Sequence, residues 1–215
     1  MQADAVEQRY AVMPPSGSLL RIVSMGAMVL SVVISGYHRR RARQSGTVIP
    51  RRAEGIPALL LRAGAGSLLL AALLAAVVAP PWMSWATVEL PIALRWVGAG
   101  VACACLPVLW WVFTSIGRNI SETVLTKTDH QLVTHGPYRW VRHPLYATAL
   151  VEILALAMAA ANWLLFALGL VAAMAFRLMV IPREEANLVQ AFGADYEAYR
   201  RRTGALVPRL WVRGG

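Results

Sequence analysis

The feature that most limits what this chain can fold into is a set of apolar stretches too long for an ordinary water-soluble core. Five can be drawn: Leu19 to Tyr37, Pro57 to Ala79, Pro91 to Phe113, a run from Pro144 or Tyr146 to about Ala161, and Trp163 to Ile181. A helix needs about 20 residues to cross the hydrocarbon of a bilayer, and four of the five supply them. The fourth does not: ~16 residues counted from Tyr146 reach roughly 24 Å against a core of ~30 Å. Asn162 alone separates it from the fifth, so the two are expected to form a tight hairpin whose short arm lies partly within protein. The expectation is an all-α integral membrane protein of about five transmembrane helices, with a C-terminal helical hairpin and a cytoplasmic amphipathic helix.

Charge then orients the chain. Lys and Arg number 21 against 11 Asp and Glu, a net charge of +10. The basic residues sit between apolar runs rather than on one soluble face, which excludes a nucleic-acid reading and favours a membrane one. Arg39, Arg40, Arg41, Arg43, Arg51 and Arg52 follow the first run, whereas "PPWMSWATVELP" after the second has no Lys or Arg. Arg118, Lys127, Arg139 and Arg142 follow the third, and the tail carries Arg183, Arg200, Arg201, Arg202, Arg209 and Arg213. With five crossings this alternation puts the N-terminus outside and the C-terminus in the cytoplasm, and the expected location is the cell inner membrane. The first basic cluster follows its apolar run instead of preceding it, so that run is expected to be retained. Cys103 and Cys105, two apart on a helix, point in different directions and read as packing residues.

Polar chemistry is concentrated in one half. Residues 1–113 form an N-terminal region of three crossings and an Arg-rich loop; 114–215 hold nearly every group able to react, within one membrane domain. In "HQLVTHGPYRWVRHPLY", His130 to Val133 reads as extended and Gly136-Pro137 as a turn. Pro144 falls at the first turn of a helix, where its missing N–H costs nothing. His143 and Arg142 therefore stand at a helix N-terminus, where backbone donors, a guanidinium and an imidazole suit an anion. Arg139, by contrast, reads as a headgroup contact.

The second cluster is "FRLMVIPREEANLVQAFGADYEAY". Arg177 lies at membrane depth, where an ionisable residue marks a functional site. Glu184 follows seven residues later, on nearly the same face if the helix survives Pro182, which is expected to bend or break it. Adjacent carboxylates diverge around a helix, so one of Glu184 and Glu185 is expected to face the site. Leu188, Phe192, Tyr196 and Tyr199 recur at helical spacing in an amphipathic helix covering it, with Gly193 at a kink. A zwitterion with a carboxylate, an amino group, a ribose and a sulfonium would use both clusters.

Together, Arg142-His143-Pro144-Leu145-Tyr146 and the later Glu184-Glu185 resemble the signature of the isoprenylcysteine carboxyl methyltransferase family and the related phospholipid methyltransferases. The resemblance spans about His130 to Arg202. It implies S-adenosylmethionine held by His130, Gln131, Leu132, Val133, Gly136, Tyr138, Arg142, His143, Pro144, Leu145, Tyr146 and Glu184. From the residues themselves, Arg177 is expected to hold a carboxylate acceptor, Glu185 or a neighbouring tyrosine to help an amine acceptor lose its proton, and no metal is required. The implied partners are a lipid-linked acceptor reaching the site from the bilayer and the membrane lipids themselves. One position departs from the pattern. Where enzymes acting on prenylcysteine carry an arginine one turn before the first glutamate, this chain has Val180.

The leading expectation is O-methylation of a prenylcysteine-like carboxylate, with N-methylation of a phospholipid amine as its competitor. Two rivals lie further off: an NADPH-dependent sterol-reductase-like enzyme and a non-enzymatic membrane protein.

Overall fold

A computed structural model describes residues 15–44, 70–75, 81–119 and 131–209. These residues are helical wherever they are regular, and the described β pairing is limited to two isolated bridges, Thr87 with Asn162 and Val141 with Gly204. The helices are α1 (Pro15–Gln44), α2 (Ile92–Ile116), α3 (Pro144–Ala160), α4 (Trp163–Ala175), α5 (Ile181–Phe192) and α6 (Ala194–Arg202), with short 3₁₀ turns at Pro81–Ala86 and Gly136–Arg139. Among the described residues, three helical runs are long and apolar enough to cross a membrane: Gly17–Gln44, Ile92–Ile116 and Trp163–Phe192. α3 is a shorter apolar helix, in keeping with its 17 residues. Of the second apolar segment only 70–75 is described; it is helical, and Leu73 is buried in the core. The protein is an all-helical integral membrane protein.

Small residues bring α2 and α3 together. A Cβ on Gly98 would lie 2.6 Å from the Ala155 carbonyl oxygen and 2.7 Å from the Ala159 nitrogen, so only glycine lets the backbones approach this closely. Gly98 and Ala102 on α2 meet Ala155 and Ala159 on α3, the small-residue pairing expected where lipid supplies no hydrophobic drive. Arg95 Nε donates to the Ala159 carbonyl at 3.0 Å, placing a cation on the α3 C-terminus. α1 joins the pair through Leu20, Ala27 and Met28 and through Ser31, whose hydroxyl donates to Glu152 of α3 at 2.5 Å.

The hairpin turns on two residues. Ala161 takes φ +49°, a left-handed conformation, and Asn162 caps α4 by accepting from the Leu165 N–H at 3.0 Å. The second arm then differs from expectation. Pro182 does not interrupt it, because the preceding turn, Phe176–Val180, is a π-turn in which the Ile181 N–H reaches Phe176. The register shift leaves Pro182 in the first turn of α5, where a missing N–H is tolerated. At 1.5 Å per residue the continuous run from Trp163 is roughly 45 Å long, so its polar end stands clear of a ~30 Å hydrocarbon layer. The chain breaks instead at Gly193. Its φ of +51° and ψ of −124° favour glycine, while nothing crowds its missing Cβ.

Candidate functional site

The site grows from the turn that precedes α3. Gly136 has φ +59°, and a Cβ there would lie 2.5 Å from Ser115 Oγ, so glycine is required on both counts. Pro137 and Tyr138 are buried behind it. The strand-like segment 131–134 leading in is fastened by Asn119, whose side chain donates to the Gln131 carbonyl at 2.7 Å and accepts from the Gln131 N–H at 3.2 Å. Leu132 and Val133 are half-buried. His130 lies outside the described residues.

Arg142 and His143 come next, clamped from the far end of the chain. The Arg142 N–H donates to Gly204 at 2.9 Å and the His143 N–H to Ala205 at 3.0 Å, so residues 203–205 run alongside 141–143. The Arg142 guanidinium is equally engaged. Nε donates to Glu185 at 2.8 Å, and Nη1 donates to the carbonyls of Arg200 and Thr203. The Arg142 donors and the His143 N–H, expected to stand open for an anion, are thus spent within the chain, which leaves the first turn of α3 itself. Arg142 ties loop, helix and tail together.

His143 is buried and sits between the two glutamates. Its Nε2 lies 3.2 Å from Glu185 Oε1 and its Nδ1 3.7 Å from Glu184 Oε2. The expectation that one carboxylate alone faces the site gives way here. The two side chains diverge by about 100° around α5, and an imidazole carries nitrogens on opposite sides, so the ring fits between them. Tyr146 Oη donates to Glu184 Oε2 at 3.0 Å. Glu185 is the more enclosed of the pair, at 13% side-chain exposure against 30% for Glu184. Pro144 is buried at the first turn of α3, and Leu145 packs beside Leu109 and Phe113 of α2.

An aromatic column runs from the cluster along the helices. His143 stacks on Tyr146 (centroids 5.7 Å apart, planes at 15°), and Tyr146 stacks on Phe176 (4.7 Å, 20°). Phe176 opens the π-turn. The extra residue in that turn rotates the downstream helix, so Arg177 and Glu184 lose the shared face that seven-residue spacing gives a regular helix. Glu184 turns to His143 and Tyr146, while Arg177 is exposed on the π-turn. The structure brings Arg142, His143, Tyr146, Glu184 and Glu185 together and leaves Arg177 outside that group.

Three phenols close the site from α6 and the turn. Tyr199 Oη donates to the Tyr138 carbonyl at 2.6 Å, and Tyr196 is buried beside it with ring centroids 6.0 Å apart. Burial raises all three hydroxyls. Nearby Glu184 adds to the effect at Tyr138 and Glu185 at Tyr196. Tyr199 is pushed up to about 12, burial being offset in part by Arg142. All three stay neutral hydrogen-bond donors at ordinary pH. Asn119, Thr203 and Gly204 do not stand out in the sequence as site residues. Gly204 needs to be glycine because a Cβ would collide with the Val207 carbonyl.

The glutamate–imidazole part of this arrangement lies within a recognisable segment. Residues 97–190 match the isoprenylcysteine carboxyl methyltransferase (ICMT) family. The chain is 38% identical over 99 residues to the protein-S-isoprenylcysteine O-methyltransferase of Schizosaccharomyces pombe, covering 44% of this chain and 41% of that one. It is 45% identical over 76 residues to methanethiol S-methyltransferase 2 of Bradyrhizobium diazoefficiens, covering 35% of this chain and 28% of the other. It is 36% identical over 128 residues to the cobalt-zinc-cadmium resistance protein CzcN of Cupriavidus metallidurans, covering 58% and 53%. The chain thus spans between about a quarter and about half of these relatives' length. Its fold is similar to that of the eukaryotic intramembrane Ras methyltransferase ICMT, with a TM-score of 0.58 at 22% identity over 92% of this chain and 69% of that one. The ICMT match contains Arg142, His143, Tyr146, Glu184 and Glu185 and stops before Tyr196.

Proposed function

We propose that the protein is an S-adenosylmethionine-dependent methyltransferase of the membrane, acting on a lipid-linked acceptor on its cytoplasmic side. The observation that carries this reading is the His143 imidazole held between Glu184 and Glu185, with Tyr146 on Glu184, inside the ICMT match. The donor set fits an aminoacyl nucleoside. Glu184 is partly exposed and suits an ammonium or a ribose diol, and the α3 N-terminus, with no acid in its first turn, suits a carboxylate. The bound donor supplies a methyl group on a sulfonium.

What the chain contributes is alignment and dryness. Methyl transfer is an in-line displacement that gains more from a fixed approach and excluded water than from acid–base machinery. The segment fastened by Asn119 and the turn at Gly136 shape one wall, with Gln131, Leu132 and Val133 along it. Glu184 orients through Tyr146, and Glu185 keeps His143 in place. The α6 phenols shut the site from water. A prenylcysteine-like carboxylate is already nucleophilic and needs only a cation to hold it. Arg177, exposed on the π-turn at the bilayer-facing arm, is the residue available to an acceptor arriving from lipid. A second reading, a thiol acceptor, is favoured by the methanethiol S-methyltransferase relative and by Val180 at the usual arginine position.

Titration calorimetry of the detergent-purified protein with S-adenosylhomocysteine, run beside NADPH, tests the reading. Saturable binding of the nucleoside alone is expected. Binding of NADPH alone would move the assignment to a reductase, and binding of neither by folded protein to a non-enzyme. Acceptor class is then decided by methyl transfer to an S-prenyl carboxylate, a phospholipid amine or an alkanethiol.

A further inference from the structure

Three buried side-chain atoms among the described residues have no hydrogen-bond partner: Ser24 Oγ, His38 Nε2 and Tyr196 Oη. The last stands where the chemistry is. Tyr196 is 1% exposed, the largest fully buried side chain among the described residues. The charges of Glu185, Arg142 and Glu184 all act on its phenol. The neighbouring donors are committed: Arg142 to Glu185, Arg200 and Thr203, His143 between the glutamates, Tyr146 to Glu184 and Tyr199 to Tyr138. The bonds reaching Glu185 from Arg142 and His143 both fall on Oε1, and none among the described residues falls on Oε2.

A buried hydroxyl without a partner weakens a fold, and folded proteins keep few of them. Phenylalanine would fill the same space without that cost. We infer that Tyr196 is a positioning residue for the Glu184–Glu185 pair, its hydroxyl donating to Glu185 when a methyl donor engages Glu184. The inference rests on the methyltransferase reading. An ammonium drawn to Glu184 competes with the contacts that His143 and Tyr146 make there, and the balance around the imidazole shifts. Glu185, held on Oε1 by Arg142 and His143, keeps Oε2 open to a further donor, and α6 offers the uncommitted hydroxyl. The gain comes in the bound state; the unbound fold bears the cost.

Tyr196→Phe separates this role from packing. The variant is expected to melt at the same temperature as wild type or higher, while its Kd for S-adenosylhomocysteine rises about tenfold, the worth of one hydrogen bond to a charged group. The stabilisation conferred by the ligand should shrink in step. A Kd within twofold of wild type would overturn the inference, as would a lower melting temperature, since that would mean the hydroxyl is bonded in the resting protein. A double-mutant cycle with Glu185→Gln adds a check on mechanism: the losses in affinity should be less than additive, and simple additivity would remove Glu185 as the partner. Failure of wild type itself to bind S-adenosylhomocysteine would sink the methyltransferase reading, a result distinct from tight binding by both wild type and Tyr196→Phe.

Discussion

At the scale of residues, the site is held by one guanidinium more than by any other group. Arg142 binds Glu185 through Nε and two tail carbonyls through Nη1, with its side chain only 10% exposed. A lysine would keep the charge but would lose the rigid fork that meets three acceptors at once. Arg142→Lys is therefore expected to cost about 2 kcal/mol, the worth of the charged hydrogen bonds that an ammonium cannot remake. Thermal denaturation in detergent would show it, with earlier proteolytic cleavage after residue 200; a melting temperature unchanged within a degree would contradict it. The sequence marked Arg142 as important for its place at a helix N-terminus. Its actual partners were not legible there, because two of them are backbone carbonyls some sixty residues downstream, at the C-terminal end of α6, and no pattern of side chains marks them. His143 and the glutamates were legible as chemistry, since buried imidazole and carboxylate need one another whatever the backbone does.

At the scale of elements, the π-turn decides which side chains face the His143 imidazole. The spacing of Arg177 and Glu184 promised a common face, and Pro182 promised a break; Phe176–Val180 sets both aside by inserting one residue's worth of rotation. Hydrophobic periodicity cannot reveal this, because residues 163–180 are apolar on every side except at Arg177. Restoring regular helix is a direct test. Deleting Leu178 should turn α5 by about 100° and draw it back ~1.5 Å, carrying Glu184 and Glu185 off the imidazole. Helical content by circular dichroism should persist, while affinity for S-adenosylhomocysteine should fall at least a hundredfold. Affinity kept within threefold would show that the register of α5 is not what aligns the glutamates. The hairpin at Ala161-Asn162 was legible, by contrast, because an Asn cap between two apolar runs has few other uses.

At the scale of the whole molecule, residues 199–205 close on the turn before α3, so the site and that part of the tail must share one side of the membrane. Val141 pairs with Gly204, Arg142 and His143 donate to residues 204 and 205, and Tyr199 holds Tyr138. Tail and loop cannot then be separated by a bilayer. α3 and α4 connect that side to the far turn at Ala161-Asn162, where the Thr87–Asn162 bridge and the Trp85–Trp163 contact gather the loop that lacks Lys and Arg. The arginine-poor and arginine-rich ends read from sequence therefore coincide with two physical ends of the helix bundle. Orientation is fixed if the basic end is cytoplasmic, as the loop charges predict. A fluorescent protein fused after Gly215 should then fluoresce in bacterial cells, and alkaline phosphatase at the same point should be inactive. A phosphatase fusion after Ser84, in the arginine-poor loop, should be active. The reverse pattern would put the glutamate–imidazole cluster outside the cell, away from cytoplasmic S-adenosylmethionine, and would count against orientation and donor together.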